Sequence, residues 1–158
     1  MKERLAIRLA TPREAEAIAL ESMAEIEHNM GWTWHPDRVA SAIDDPDTNV
    51  AVAVDGGAVI GFGIMEYAEE SAHLVLFAVR EDARRRGVGS TLLGWLEKVA
   101  LIAGVARLNV EARASNATAR AFYRSHGYSE TDIVPNMYCG GEDGVRLQKV
   151  VGTIVKEA

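Results

Sequence analysis

Seven consecutive residues, Arg84-Arg85-Arg86-Gly87-Val88-Gly89-Ser90, set three cations and two glycines at the start of a helical pattern. Such a stretch suits anion binding. The first N–H groups of a helix have no carbonyl to reach within the helix, and the aligned peptide dipoles leave partial positive charge there. Glycine lets a phosphate approach the backbone closely. Three arginines add full charge to a chain whose formal net charge is −6. The expected ligand is therefore a phosphate or pyrophosphate. A Walker loop is excluded, since no Gly-x-x-x-x-Gly-Lys-Ser/Thr run exists. A dinucleotide fingerprint needs a third glycine where Leu92 stands, directly after its strand, yet seven residues separate Val79 from Gly87.

The pattern that does fit is Arg/Gln-x-x-Gly-x-Gly/Ala, present as Arg84-x-x-Gly87-x-Gly89. It is the pyrophosphate motif of the GNAT superfamily of N-acetyltransferases, which this sequence resembles. A second stretch, Asn116-x-x-Ala119-x-x-Phe122-Tyr123 followed by Gly127-Tyr128, resembles that family's second motif. The resemblance implies an acetyl-CoA-dependent N-acetyltransferase in which a primary amine attacks the thioester directly, in a ternary complex. It implies that Phe77, Ala78 and Val79 bind the pantetheine amides through backbone groups. Arg84, Arg85, Arg86, Gly87, Val88, Gly89 and Ser90 would hold the diphosphate, with Arg84 and Arg86 preferred over Arg85 as side-chain partners. Asn116 would contact the pantetheine arm, and Tyr123 would protonate the departing sulfur. A phenol, of pKa about 10, stays protonated at pH 7 and can donate. The plainer alternative is that Tyr123 only packs beside Phe122.

The general base is expected at Glu111, at the end of a strand. The text Val110-Glu111-Ala112-Arg113-Ala114-Ser115-Asn116-Ala117 resembles the ribosomal-protein N-terminal alanine acetyltransferases, in which the matching glutamate is the proposed base. Ala112 stands where those enzymes carry valine. Glu66 and His73 are rivals, since neighbouring strands supply bases in other members of the superfamily. For the acceptor, neutralising a lysine-like amine of pKa about 10.4 costs roughly 4.6 kcal/mol at pH 7. A peptide α-amine of pKa about 8 costs only about 1 kcal/mol. One modest base suits the second better, although desolvation lowers an amine's pKa and keeps lysine and small-molecule amines open.

These residues need elements to hold them. Leu5–Leu9 alternates as a first strand. Thr11-Pro12-Arg13-Glu14 carries a cap, a proline at the first helical position and a capping-box glutamate. That helix should bury Ala15, Ile18, Ser22 or Met23, and Ile26. Gly31 to Pro36 breaks it, and Trp32 and Trp34 are either lid residues or staples to the core. A short helix follows to about Ile43. Val50–Val54, the Asp55-Gly56-Gly57 turn, Ala58 to about Glu66, and Ala72–Val79 form an antiparallel meander. The helix from Gly87 to Gly104 should bury Val88, Leu92, Trp95 or Leu96, Val99, and Ile102 or Ala103. A strand at Arg107–Glu111 completes a parallel crossover. Ser115-Asn116 caps the next helix and Gly127 ends it. A strand near Tyr128–Val134, a glycine-rich loop at Asn136–Gly144 and a last strand at Arg146–Val151 close the chain.

That order, β-α-α-β-β-β-α-β-α-β-β, is the superfamily's own along nearly the whole chain. The expected fold is α/β: a mixed, mostly antiparallel sheet of six to seven strands with about four helices. The resemblance adds a splayed central pair at Ala72–Val79 and Arg107–Glu111. A length of 158 residues suggests one domain over 1–158. Apolar residues at 48% and charged residues at 25% are ordinary for a globular protein. The basic residues form no long stripe, so no nucleic-acid partner is expected. No signal-peptide pattern or long apolar run appears, so the expected setting is cytoplasmic, with no membrane partner. The four histidines, His28, His35, His73 and His126, are too scattered for a metal, and the lone Cys139 has no partner spacing. The partners expected are acetyl-CoA and an amine acceptor, small molecule or protein N-terminus, and a homodimer stays open. The rivals are a non-catalytic acyl-CoA sensor and a degenerate NAD(P)-type binder.

Overall fold

The computed structural model describes residues 5–27, 33–84, 86–138 and 140–152. Seven β-strands and four α-helices appear among them, with two short 3-10 turns. The chain divides into two compact units, Met1–Glu66 with Val75–Leu96, and Tyr67–Leu74 with Glu97–Ala158. Among the described residues, no helix is long and apolar enough to cross a membrane.

The first unit is built on the meander. Strands β1 (Leu5–Leu9), β2 (Thr48–Asp55) and β3 (Ala58–Tyr67) are antiparallel neighbours, followed by the end of β4 (Ser71–Val79). Gly56 and Gly57 take φ of 59° and 88°, the left-handed conformation a tight hairpin requires. Helix α1 (Ala15–Glu25) follows a 3-10 turn at Pro12–Glu14, so it starts three residues later than the proline suggests. The Glu14 carboxylate accepts the Thr11 N–H at 2.8 Å, the backbone half of the expected capping box. Helix α2 spans Pro36–Asp44. Ile18 and Ala19 of α1 and Val39 of α2 pack with Val50, Val52, Phe62, Ile64, Leu76 and Ala78. This apolar layer fixes both helices against the sheet.

Trp34 joins that layer at 8% exposure, so it is a core staple and no lid; Trp32 lies outside the described residues. The loop is tied by a buried carboxylate. Glu27 accepts the Ser22 hydroxyl (2.7 Å), the Thr33 N–H (2.7 Å) and hydroxyl (2.7 Å), and the Trp34 N–H (3.3 Å). Burial pushes this carboxyl up, but those bonds outweigh it and leave it below its ordinary range.

The second unit carries the order β4-β5-β7-β6. The start of β4 pairs in parallel with β5 (Arg107–Arg113) from Ser71↔Arg107 to Leu74↔Val110, the expected crossover pairing. Beyond Leu74, β4 belongs to the first unit. Strand β7 (Glu142–Val150) runs antiparallel to β5 and to β6 (Ser129–Tyr138). Leu108, Val110 and Ala112 are buried; Arg107, Asn109, Glu111 and Arg113 alternate with them and stay half-exposed. One face of β5 thus packs, and the other presents polar groups. Helix α4 spans Ala117–Ser125 and stops at Gly127, φ 93°.

Two expectations need correction. Asn136–Gly144 is not one long loop: β6 continues to Tyr138 and β7 begins at Glu142, around Gly140 and Gly141 with φ of 87° and 84°. Pairing with β7 overrides the breakers Pro135 and Asn136, whose irregular backbone appears as a register shift between Val134 and Tyr138. Helix α3 (Val88–Ile102) buries Val88, Leu92, Leu93, Leu96 and Ala100, but Ile102 is 78% exposed and Ala103 is also exposed. Its last turn runs past the core, so the stripe ends before its apolar periodicity does.

Candidate active site

In the first unit, β4 ends with Phe77, Ala78 and Val79; Ala78 and Val79 are buried and Phe77 is half-exposed. A 3-10 turn at Glu81–Ala83 then leads to the glycines. Val79, Ala83 and Val88 pack with Ala53 and Ile60, which anchors both ends of the turn. Gly87 has φ 78°, with nothing within 4 Å of an added Cβ. Its requirement is therefore conformational rather than steric. Gly87 O accepts the Thr91 N–H at 3.0 Å, opening α3, and Gly89 and Ser90 fall in the helix's first turn. The amides of Val88 and Gly89 precede that first intrahelical bond, where anions are favoured.

Arg84 and Arg86 have carboxylate partners. Arg84 donates from Nε to Val79 O at 3.0 Å and from Nη2 to Glu25 Oε1. Arg86 Nη2 donates to Asp55 Oδ2 at 2.7 Å. Both guanidinium groups are about half exposed. Arg85 lies outside the described residues.

The second unit holds the acid–base candidates. Glu111 is flanked on both oxygens: Arg146 Nε donates to Oε2 at 3.2 Å, and His73 Nε2 lies 3.5 Å from Oε1. The favoured base and one rival thus meet. The other rival, Glu66, is exposed near the end of β3 in the first unit. His73, Asn109, Glu111, Asp132, Arg146 and Gln148 share the lining of a cleft of about 450 Å³. Within it, Gln148 donates its amide to Asn109 Oδ1 at 2.9 Å.

Asn116 caps α4, accepting the Ala119 N–H at 3.0 Å through its side-chain oxygen. One turn further, Tyr123 is 6% exposed, edge-on to Phe122 (centroids 5.4 Å) and to Tyr128 (5.6 Å). Burial pushes its phenol up from the usual value, and Tyr138 adds to the shift. Tyr138 itself is pushed up to about 12, by burial first and then by the Glu111 charge, with Arg113 opposing and Glu142 adding. Tyr138 thus lies within electrostatic reach of both Tyr123 and Glu111. Its sequence context, Met137-Tyr138 with Glu142-Asp143, resembles the closing hairpin of the ribosomal-protein alanine acetyltransferases, a likeness that by itself assigns Tyr138 no role. Glu142 fixes that turn: it accepts the Ser115 hydroxyl and lies 3.6 Å from Arg113, whose guanidinium sits 5.6 Å from the Tyr138 ring.

His126 Nδ1 is 2.8 Å from Phe122 O, His35 stands at the N-cap position of α2, and His28 and Cys139 lie outside the described residues. Among the described residues, no group of three or more His, Cys, Asp and Glu side chains could hold a metal ion.

Residues 15–128 match the family model of the Acetyltransferase (GNAT) family. An uncharacterized N-acetyltransferase of Methanocaldococcus jannaschii is 31% identical over 134 residues, covering 82% of this chain and 85% of that one. The ribosomal protein bS18-alanine N-acetyltransferase of Escherichia coli K12 is 39% identical over 92 residues, 56% of this chain and 62% of that enzyme. The crystal structure of the Escherichia coli ribosomal-protein-S18-alanine N-acetyltransferase superposes with a TM-score of 0.85 at 27% identity, covering 98% of each chain. That of yncA from Salmonella typhimurium, solved with its cofactor acetyl-CoA, reaches 0.82 at 17% identity and 98% of each chain, a likeness of fold. Family model and relative agree: the chain belongs to the Acetyltransferase (GNAT) family and is an acetyltransferase.

Proposed function

We propose that the whole chain is one acetyltransferase domain that moves the acetyl group of acetyl-CoA directly to a primary amine, in a ternary complex. The observation that carries this reading lies in the second unit: a phenol kept protonated by burial, Tyr123, and a half-exposed carboxylate, Glu111, with Tyr138 electrostatically coupled to both. The glycine turn and the first amides of α3 take the donor's diphosphate, with Arg84, Arg85 and Arg86 supplying charge. The backbone groups of Phe77, Ala78 and Val79 at the end of β4 take the pantetheine amides, and Asn116 contacts the pantetheine arm.

Glu111 takes the proton of the attacking amine. The amine nitrogen bonds to the thioester carbonyl carbon, and the carbon–sulfur bond breaks. Tyr123 donates a hydrogen bond to the sulfur as its charge develops. The phenol is ordinarily a weaker acid than a thiol, about 10 against about 8.5, so it stabilises the leaving sulfur through that hydrogen bond, while the thiolate takes a proton from solvent and Glu111 releases the amine's proton to solvent. His73, 3.5 Å from Glu111, supports a second assignment in which the imidazole takes the amine proton and Glu111 orients it.

The acceptor placed first is a peptide α-amine. The bS18-alanine acetyltransferase relative supports it, as does the low cost of neutralising such an amine. The cleft wall sets two carboxylates, Glu111 and Asp132, against one arginine, Arg146, a balance that suits an amine without choosing among amines. A panel of amines with detection of released CoA thiol tests the reading. Glu111→Gln should lower kcat by about 10²-fold or more and alter the acid limb of the pH–rate profile. An unaltered profile assigns the base to His73 or elsewhere.

A further inference from the structure

Glu25 stands where a helix least favours a carboxylate, at the last position of α1, the negative end of its dipole. Its side chain is 17% exposed and reaches residues 56 and 59 positions further along the chain. One oxygen accepts the Glu81 N–H at 3.4 Å, where the 3-10 turn begins. The other accepts Arg84 Nη2, just before the glycines. Arg84 in turn returns its Nε to Val79 O at 3.0 Å, the last carbonyl of β4. One carboxylate therefore spans the turn from start to end, and the guanidinium it holds ties the turn to the strand.

We propose that Glu25 is a positioning residue for donor binding, holding the Glu81–Arg84 turn so that the first amides of α3 meet the diphosphate of acetyl-CoA. This rests on the reading that the glycine turn takes the diphosphate. Arg84 is then chiefly a strut between α1 and β4, and its alignment depends on a residue outside the motif. Glu25 touches neither donor nor acceptor, so its effect is confined to donors that carry a diphosphate.

The test compares acetyl-CoA with acetyl-pantetheine, which lacks the diphosphate and nucleotide, on the full chain. Glu25→Ala should raise KM for acetyl-CoA about tenfold, the scale of one charge-assisted hydrogen bond, with little change in kcat. With acetyl-pantetheine, kcat/KM should match the wild type. Glu25→Gln keeps an acceptor for the Glu81 N–H and should fall between the two; it carries the same comparison if Glu25→Ala does not fold. The proposal is overturned if both variants lower KM for acetyl-CoA, because Glu25 then acts only as a repelling charge. It is equally overturned if both donors change alike, or if neither does. A wild type that uses the two donors equally well overturns the diphosphate reading itself.

Discussion

Tyr123→Phe deletes one oxygen and leaves a ring of the same shape in a site that is 6% exposed. The edge contacts to Phe122 at 5.4 Å and Tyr128 at 5.6 Å survive the change, so packing is conserved. The stability cost is that of one buried hydroxyl interaction, about 0.5–1.5 kcal/mol. For a chain of this length each kcal/mol lowers the thermal midpoint by about 2–4 °C. A positioned proton donor contributes about 10²–10⁴-fold to the rate, or about 2.7–5.4 kcal/mol of barrier. The two effects differ enough to separate. Thiol-release kinetics with saturating acetyl-CoA should show kcat falling by at least about 10²-fold, with a midpoint shift of only a few degrees. Burial holds the phenol above its ordinary value, so Tyr123 should also impose no alkaline limb on the wild-type profile below about pH 10. A variant whose kcat stays within about threefold of wild type, less than 1 kcal/mol of barrier, would show that Tyr123 is only core.

Gly87→Ala places a side chain at φ 78° with no steric clash, so backbone strain of about 1–2 kcal/mol should lower the midpoint and raise KM for acetyl-CoA more than it changes kcat. Glu21 has one buried oxygen without a hydrogen-bond partner, and its carboxyl is pushed up to about 7, by burial first, with Glu25 and Asp82 adding and Arg80 opposing. The folded state holds this proton more tightly than the unfolded state, so its contribution is complete below about pH 4.3 and lost as pH rises towards 7. Glu21→Gln should therefore raise the thermal midpoint by a few degrees at pH 8.5 and by little at pH 4.5; equal shifts at both would reject the burial argument. Glu130 behaves oppositely: the Arg120 guanidinium first, and Arg124 with it, holds its carboxyl down at about 2. Its contribution is present above the ordinary carboxylate range and lost as pH falls from about 4.5 towards 2. The midpoint difference between wild type and Glu130→Gln should close across that window, and a constant difference would refute the pairing.

What could be read from the sequence was whatever rests on backbone rules. Gly127 marks a left-handed cap, Gly104 a helix end, Asn116 caps a helix and the alternation of β5 sets its polar face, because each follows from local stereochemistry; the left-handed backbone of Gly87, read from sequence only as room for a phosphate, came from the structure. What escaped depends on distant partners. Glu25 and Glu27 look like ordinary helix-end acids, and only the folded chain brings Arg84 to the first and the Thr33 amide to the second. Leu93 lies off the periodic stripe of α3 yet is fully buried, while Ile102 lies on it and is exposed, because the core's extent and not the helix's period decides burial. The meeting of His73 with Glu111 was equally out of reach: two candidates on separate strands become neighbours only through the parallel register that opposes His73 to Asn109.

The pairing of the turn's arginines bears on the proposal that the glycine turn takes the diphosphate of the donor. Arg86 and Asp55 form a half-exposed pair, and such pairs contribute about 0–1 kcal/mol. Exchanging that carboxylate for a phosphate oxygen therefore costs little, and Arg86 is available to the donor. Arg84 is held at a second point as well, by the Val79 carbonyl at the end of β4. The two arginines thus divide the work by geometry, one exchangeable and one fixed. In the proposed site, the amides of Val88 and Gly89 would supply the attraction that neither carboxylate neutralises. Donor binding should then depend on salt less steeply than three unpaired arginines would require, because backbone dipoles bring no counterions to release. A steep fall in acetyl-CoA affinity between low and physiological ionic strength would place the binding energy in the side chains instead.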